Sequence, residues 1–224
     1  MNIADNLKKL KNNIPENVCL VAVSKTKPAS AVQEAYNTGH RVFGENKIQE
    51  MTEKQQLLPK DIKWHMIGHV QTNKVKYMAS YVDLIHGVDS FKLLKEIDKQ
   101  AAKHQRIISC LLQIRIAEEE TKFGLIKKDA EELLNASELN SLEHIKIVGL
   151  MGMATFTNDK NQIKKEFQSL KSFFDLLKNT KFSNKQIDLT VLSMGMSGDY
   201  TIAIDCGSNM VRIGSSIFGA RNYT

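Results

Sequence analysis

Val18-Cys-Leu-Val-Ala-Val-Ser-Lys-Thr-Lys-Pro28 decides how the chain is read. A run of apolar, β-branched residues stops at Ser24, Lys25, Thr26 and Lys27, and Pro28 then opens a helical pattern. Such a run suits one buried strand that hands a lysine to the mouth of a fold. A lysine at that place has a dry stem and a mobile head. Burial favours its neutral amine, and a neutral amine is a nucleophile toward a carbonyl cofactor. The plainer reading is a strand-end lysine that points into water.

Outward from this stretch, short apolar runs alternate with longer helical ones. Strands are expected over 18–23, 41–44, 64–67, 84–88, 107–116, 145–153, 189–194 and 210–213. Helical periodicity fills 29–38, 47–58, 72–79, 90–104, 128–139 and 161–179, with a short helix after Gly198. Ser90 and the pair Asn158-Asp159 stand where helix N-caps belong. Eight largely continuous apolar strands separated by helices predict a parallel sheet buried on both faces. That pattern suits an α/β fold, a single (β/α)8 TIM barrel over residues 1–224. A doubly wound open sheet is the competing topology. Neither G-x-G-x-x-G after the first strand nor a P-loop motif occurs, so nucleotide binding of those kinds loses its main signal.

Composition narrows the classes further. The 224 residues are 42% hydrophobic with 3 prolines and 12 glycines, which excludes fibrous and disordered types. A net charge of +6 favours anionic ligands. No basic run carries interleaved aromatics, so specific nucleic-acid binding is not expected. Lysines scattered through helices read as solvated faces. Cys19, Cys110 and Cys206 are far apart, odd in number and set in apolar runs, which predicts buried free thiols in a reducing compartment. Met1 to Leu10 reads as an amphipathic helix start without a signal-type apolar core. No apolar run reaches membrane-spanning length. A cytoplasmic, soluble protein is expected.

In a barrel of this kind, chemistry gathers at the C-terminal ends of the strands. Those ends read Lys25, Phe43-Gly-Glu-Asn46, His65 to Lys74, His86-Gly-Val-Asp89, Lys122-Phe-Gly124, Met151 to Ala154, Ser193 to Ser197 and Arg212 to Ser216. Their glycines and small polar residues suit close approach of backbone to a ligand. Ser197-Gly198 and Gly214-Ser215 resemble a phosphate cup of helix-start N–H groups and hydroxyls, although glycines there also serve as plain turns. His65 and His69 lie four apart but straddle a strand end without a third ligand, so structural or pocket-rim histidines are expected. Asp199, His86 and Ser193 make no recognisable triad pattern. Met151, Met153, Met194 and Met196 read as core filler.

Together, Ala22 to Pro28, Phe43-Gly-Glu-Asn46, Trp64 to Lys74, Gly149 to Met153, Leu192 to Ser197 and Val211 to Gly219 resemble the pyridoxal phosphate homeostasis protein family over essentially the whole chain. The resemblance implies a barrel similar to the N-terminal domain of alanine racemase, fold-type III among pyridoxal 5′-phosphate (PLP) proteins. It implies that Lys25 holds PLP as a Schiff base, with Lys27 a second basic residue and not the main anchor. It further implies that Arg212 faces the pyridine nitrogen, that Ser197, Gly214 and Ser215 hold the phosphate, and that Asn46 lines the pocket. Gly198 and the Ser215-Ser216 pair depart from the usual pattern without removing an obvious phosphate donor.

An arginine does not give up its proton, so it would leave the pyridine nitrogen unprotonated and the ring a weak electron sink. A chain ending at Thr224 also leaves no room for the second domain from which racemases take their second base. The expectation is a non-catalytic, monomeric PLP-binding protein that buffers or delivers the cofactor, with PLP-dependent apo-enzymes as acceptors. The alternatives are a small PLP-dependent racemase or lyase, and a barrel enzyme whose Lys25 forms an imine with a sugar phosphate.

Overall fold

Eight parallel strands close into a barrel in chain order. They are β1 (Cys19–Val23), β2 (Val42–Glu45), β3 (Lys63–Met66), β4 (Val82–Val88), β5 (Ile108–Ile114), β6 (Ile145–Gly152), β7 (Ile187–Met196) and β8 (Met210–Ile213). The computed structural model describes residues 2–118 and 123–220, so Met1 and Lys122, both named above, lie outside the described residues. Pairing of β1 with β8, from Cys19 opposite Met210 to Ala22 opposite Ile213, closes the ring. The open doubly wound sheet is therefore ruled out.

Around the ring run α1 (Ile3–Asn13), α2 (Ala29–Asn37), α3 (Ile48–Leu57), α4 (Phe91–Lys103), α5 (Lys127–Asn135), α6 (Lys160–Asn179), α7 (Tyr200–Asp205) and α8 (Ser215–Phe218). Local chemistry fixes several starts. Ser90 Oγ accepts from Leu93 N–H, and Asp159 Oδ1 accepts from the N–H groups of Asn161 and Gln162, as the two expected caps require. In α4, Leu93, Leu94, Ile97 and Ala101 repeat at helical spacing and are all buried. Two helical expectations change form. Residues Thr72–Tyr77 make a 3₁₀ helix, and its three-residue turn aligns buried Val75 with buried Met78. The stretch expected over 128–139 breaks at Ala136, and a 3₁₀ turn follows over Ser137–Ser141.

Strand alternation creates two cores. Leu20, Ala22, Phe43, Trp64, Val211 and Ile213 belong to the layer between sheet and helices. Val21, Leu84, Leu111, Met151 and Met210 fill the barrel interior. Burying one side chain such as Phe43 contributes about 1.5–3 kcal/mol. The thiols differ in part from expectation. Cys110 is fully buried, Cys19 is only half-buried, and Cys206 caps the C-terminus of α7 and belongs to no strand. Among the described residues, no helix is long and apolar enough to cross a membrane.

Candidate functional site at the C-terminal mouth of the barrel

Cys19 and Val21 of β1 pack inside the barrel, and period-two alternation carries the same face through Val23 to Lys25. Lys25 is half-buried. It sits in a tight turn in which Ser24 N–H donates to Gly44 O (3.0 Å) and Lys27 N–H donates to Ser24 O (3.1 Å). The next residue, Thr26, has φ 64°. A β-branched residue in the left-handed region costs on the order of 1–3 kcal/mol and persists only where its surroundings hold it.

A cluster behind the turn does the holding. Thr26 N–H donates to Glu50 Oε1 (2.6 Å). Lys54 Nζ donates to Ser24 O (2.8 Å), Glu45 Oε1 (2.7 Å) and Glu50 Oε1 (2.7 Å), and Ser24 Oγ donates to Glu45 Oε1 (2.6 Å). Ser24, Glu45 and Lys54 are all buried. Burial pushes the Glu45 carboxyl up, and Lys54 and Ser24 pull it back down. Lys27 turns elsewhere, its Nζ donating to Ala220 O (2.9 Å).

Register sets the other expected residues around the same mouth. Val23 pairs with Gly44, which places Asn46 level with Lys25 just beyond the strand ends. The Oδ1 of Asn46 is buried with no hydrogen-bond partner among the described residues. Gly68 lies so close that a Cβ there would stand 2.4 Å from Asn46 O. On the far side, Gly195 has φ 97°, and a Cβ would meet Ala203 Cβ at 2.6 Å, so α7 packs tightly onto the end of β7. Ser197 Oγ then accepts from Gly214 N–H (3.2 Å), joining two of the expected phosphate residues. Ser215, exposed, begins α8 immediately after Gly214. The short helix expected after Gly198 runs from Tyr200, and a Cβ at 198 would meet nothing within 4 Å.

Arg212 projects from β8 into the barrel and is 4% exposed. Its Nη1 donates to Ser193 O (2.9 Å) and Ser193 Oγ (2.7 Å), and its Nη2 donates to Gly152 O (3.0 Å). Three of its five N–H groups are thereby engaged, leaving Nε–H and one on Nη2 without a partner among the described residues. Burial lowers its pKa to about 10, with Asp199 opposing the shift, so the guanidinium stays charged at neutral pH.

Beyond Arg212 the polar residues continue inward. Ser193 Oγ lies 3.2 Å from His86 Nδ1, and His86 Nε2 lies 3.1 Å from His65 Nδ1. His65 Nε2 faces Asp83 Oδ2 at 3.5 Å. Ser193 and His86 thus do meet, although Asp199 is not their third member. Ser193 is buried and engaged with Arg212, which is no setting for a nucleophile. The two histidines four apart have parted: His69 stands at the rim, paired with Asp89 (3.3 Å) and stacked on Phe123 at 4.3 Å. Among the described residues, no three metal-ligating side chains cluster. Met151 and Met194 are core, as expected, whereas Met196 is exposed.

His69 and Asp89 also line a cleft of about 410 Å³ with Val70, Gln71, Thr72, Asn73, Ser90 and Leu93. The cleft flanks the mouth on the β3–β4 side, and none of the six residues expected at the cofactor lines it. Sequence reading included Glu45 only as part of Phe43-Gly-Glu-Asn46, with no role of its own, and missed Glu50 and Lys54 behind the lysine turn. One signal was available: Lys54 follows Met51 at the spacing that sets Ile48 and Met51 on the buried face of α3.

A family model described as the alanine racemase N-terminal domain matches residues 1–222. A Haemophilus influenzae protein named pyridoxal phosphate homeostasis protein is 39% identical over 220 residues, 96% of this chain and 90% of that one. The solved structure of PipY from Synechococcus elongatus with PLP bound is 35% identical with a TM-score of 0.85, and covers 97% of this chain and all of PipY. A Clostridium difficile alanine racemase, 17% identical with a TM-score of 0.78, shares the fold over 98% of this chain and 56% of its own.

Proposed function

We propose that this chain, which belongs to the pyridoxal phosphate homeostasis proteins within the alanine racemase N-terminal-domain family, holds PLP covalently on Lys25 and serves intracellular vitamin B6 balance. The observation that carries the reading is the strained, braced turn that presents Lys25 on the inward face at the barrel mouth. Lys27, the competing amine, is turned toward Ala220.

The residues present fit the cofactor. When bound, PLP supplies an aldehyde to an amine, with loss of water. Around Lys25, the partnerless buried Oδ1 marks an Asn46 amide open to a polar ligand. The two remaining N–H groups of Arg212 suit an unprotonated ring nitrogen. Ser197 and Ser215 offer hydroxyls to a phosphate at the start of α8, and the Gly214 N–H, which donates to Ser197 Oγ, holds the first of them in place.

A cation at the ring nitrogen opposes the pyridinium form on which carbanion chemistry depends. The chain accordingly buffers or delivers PLP and is no efficient racemase or lyase. In this reading residues 1–224 act as one PLP-binding barrel domain, cytoplasmic and monomeric, with PLP-dependent apo-enzymes as acceptors.

Borohydride reduction of the PLP-loaded protein, followed by peptide mass mapping, tests the assignment. The expected result is a pyridoxyl adduct on Lys25, with the visible band absent in Lys25→Ala and retained in Lys27→Ala. An adduct confined to another lysine would overturn it.

A further inference from the structure

The polar residues inside the barrel run in one direction only. Arg212 has no acceptor atom, so Ser193 Oγ accepts from it. The Ser193 hydroxyl proton is then available to His86 Nδ1, which accepts. His86 therefore carries its proton on Nε2 and donates to His65 Nδ1. His65 carries its own proton on Nε2 and directs it to Asp83. Asp83 fixes the direction: reversed, with Ser193 Oγ accepting from both Arg212 and His86 Nδ1, the chain would leave a bare His65 Nε2 facing the Asp83 carboxylate, acceptor against acceptor. Burial holds both histidines below the usual imidazole range, and the neighbouring His65 and Arg212 hold His86 lower still. Neutral rings are what a one-way chain requires.

The chain crosses the barrel. Arg212 lies level with the end of β7, opposite Met196. Asp83 lies near the start of β4, where the register between β3 and β4 shifts, Trp64 pairing with Val82 and His65 with Leu84. Asp83 is the extra residue of that bulge, and its side chain is half exposed. His65 holds its carboxyl below the usual carboxylate range, with Lys63 and Arg106 adding smaller pulls in the same direction.

We propose that Ser193, His86, His65 and Asp83 are positioning residues for Arg212, forming a directional hydrogen-bond chain from one mouth of the barrel to the other. Together with the backbone oxygens of Ser193 and Gly152, the chain leaves the Nε–H and one Nη2–H of Arg212 without a partner among the described residues. It also anchors those donors on a carboxylate outside the cofactor pocket. The cofactor-binding part of this inference rests on the reading that Arg212 meets the PLP ring nitrogen. By linkage, whatever Asp83 does to the chain at one mouth alters PLP affinity at the other, and PLP alters Asp83 in return.

The test has two arms. First, ¹⁵N NMR of the histidine rings in the PLP-free protein at pH 7.5 should find His65 and His86 neutral, both protonated on Nε2. Leu84→Ala, which loosens the same interior while keeping all four side chains of the chain, should leave the protonation of both rings on Nε2. Ser193→Ala should move the His86 Nδ1 signal, and Ser193→Thr should restore it. Second, PLP titration followed by absorbance should show affinity lowered roughly tenfold or more in Ser193→Ala and recovered in Ser193→Thr. Asp83→Asn should weaken PLP by a smaller factor and shift the His65 signal. An Nδ1-protonated His86, or PLP affinity and absorbance unchanged in both Ser193→Ala and Asp83→Asn, would overturn the chain. Wild-type protein that binds no PLP would instead overturn the functional reading, and the first arm would still judge the chain.

Discussion

Two buried polar groups flank the mouth of the barrel, and they are built on different principles. The cluster behind β1 uses formal charge: Lys54 between Glu45 and Glu50, with Ser24 and Thr26 tied to it. The chain inside the barrel uses neutral rings and bond direction between Arg212 and Asp83. The difference follows from the task. A left-handed Thr26 must be held against its own strain, and strong charge-assisted bonds suit that. Next to a buried guanidinium, a charged imidazole would be repelled, so only neutral histidines can carry the polar path inward. One group braces the amine, and the other aims the cation.

The largest expected effect breaks the charged group. Lys54→Met leaves the Glu45 carboxyl buried without its cation, and removing one partner of such a pair costs about 3–5 kcal/mol. Denaturant unfolding should show that loss, and Lys25 should react more slowly with PLP because its turn loosens. The double variant Glu45→Gln with Lys54→Met removes the stranded charge and should recover most of the stability. Failure to recover would mean that Lys54 matters through its bond to the Ser24 carbonyl and not through charge.

Much of this was legible in sequence, and the illegible parts share a physical cause. The eight strands and the caps at Ser90 and Asp159 follow from periodicity and local hydrogen bonding, which a sequence displays directly. The place of Lys25 just beyond the end of β1 was readable because a strand end and an abrupt polar boundary coincide there. The chain from His65 to His86 was not, because the two residues lie 21 positions apart on neighbouring strands and the bulge at Asp83 shifts the register between them. Lys54 was hidden by its type: lysines in helices are usually solvated, and this one is 5% exposed. The 3₁₀ form of 72–77 depends on which residues the barrel buries, and apolar spacing alone does not separate it from an α-helix.

Acid sharpens the contrast, because the two groups respond to it in opposite senses. Burial depresses the pKa values of His65, His86 and, outside both groups, His40, which falls to about 4. A depressed folded value means that the unfolded chain takes up protons first as pH drops below 6.5. Their contribution is therefore present above pH 6.5 and lost as pH falls toward the folded values. For His40 alone the loss between pH 7 and pH 5 is about 2 kcal/mol. Glu45 runs the other way: its raised folded value gives a contribution present below 4.5 and lost as pH rises from there through the higher folded value. Unfolding midpoints should thus fall from pH 7 to pH 5, and His40→Gln should flatten the slope. A midpoint unchanged over that range in both the wild type and Glu45→Gln, which removes the opposing group, would mean that the interior histidines are already charged, which would erase the distinction between the two groups.

The smallest expected effect asks how much of the brace is charge at all. Glu50 is partly exposed, and water screens its pairing with Lys54. Its bond to Thr26 N–H is different, since it satisfies a donor in the strained turn beside Lys25. Glu50→Gln keeps an oxygen for that N–H and removes only the charge, so stability should change by less than about 1 kcal/mol. Glu50→Ala removes the acceptor as well and should cost about 1–2 kcal/mol, with faster amide exchange at Thr26. The ordering separates the two roles. If Gln and Ala are equally damaging, charge at Glu50 holds the turn. If only Ala is damaging, the hydrogen bond does, and the formal charge that distinguishes this cluster from the barrel interior resides chiefly in the Glu45–Lys54 pair.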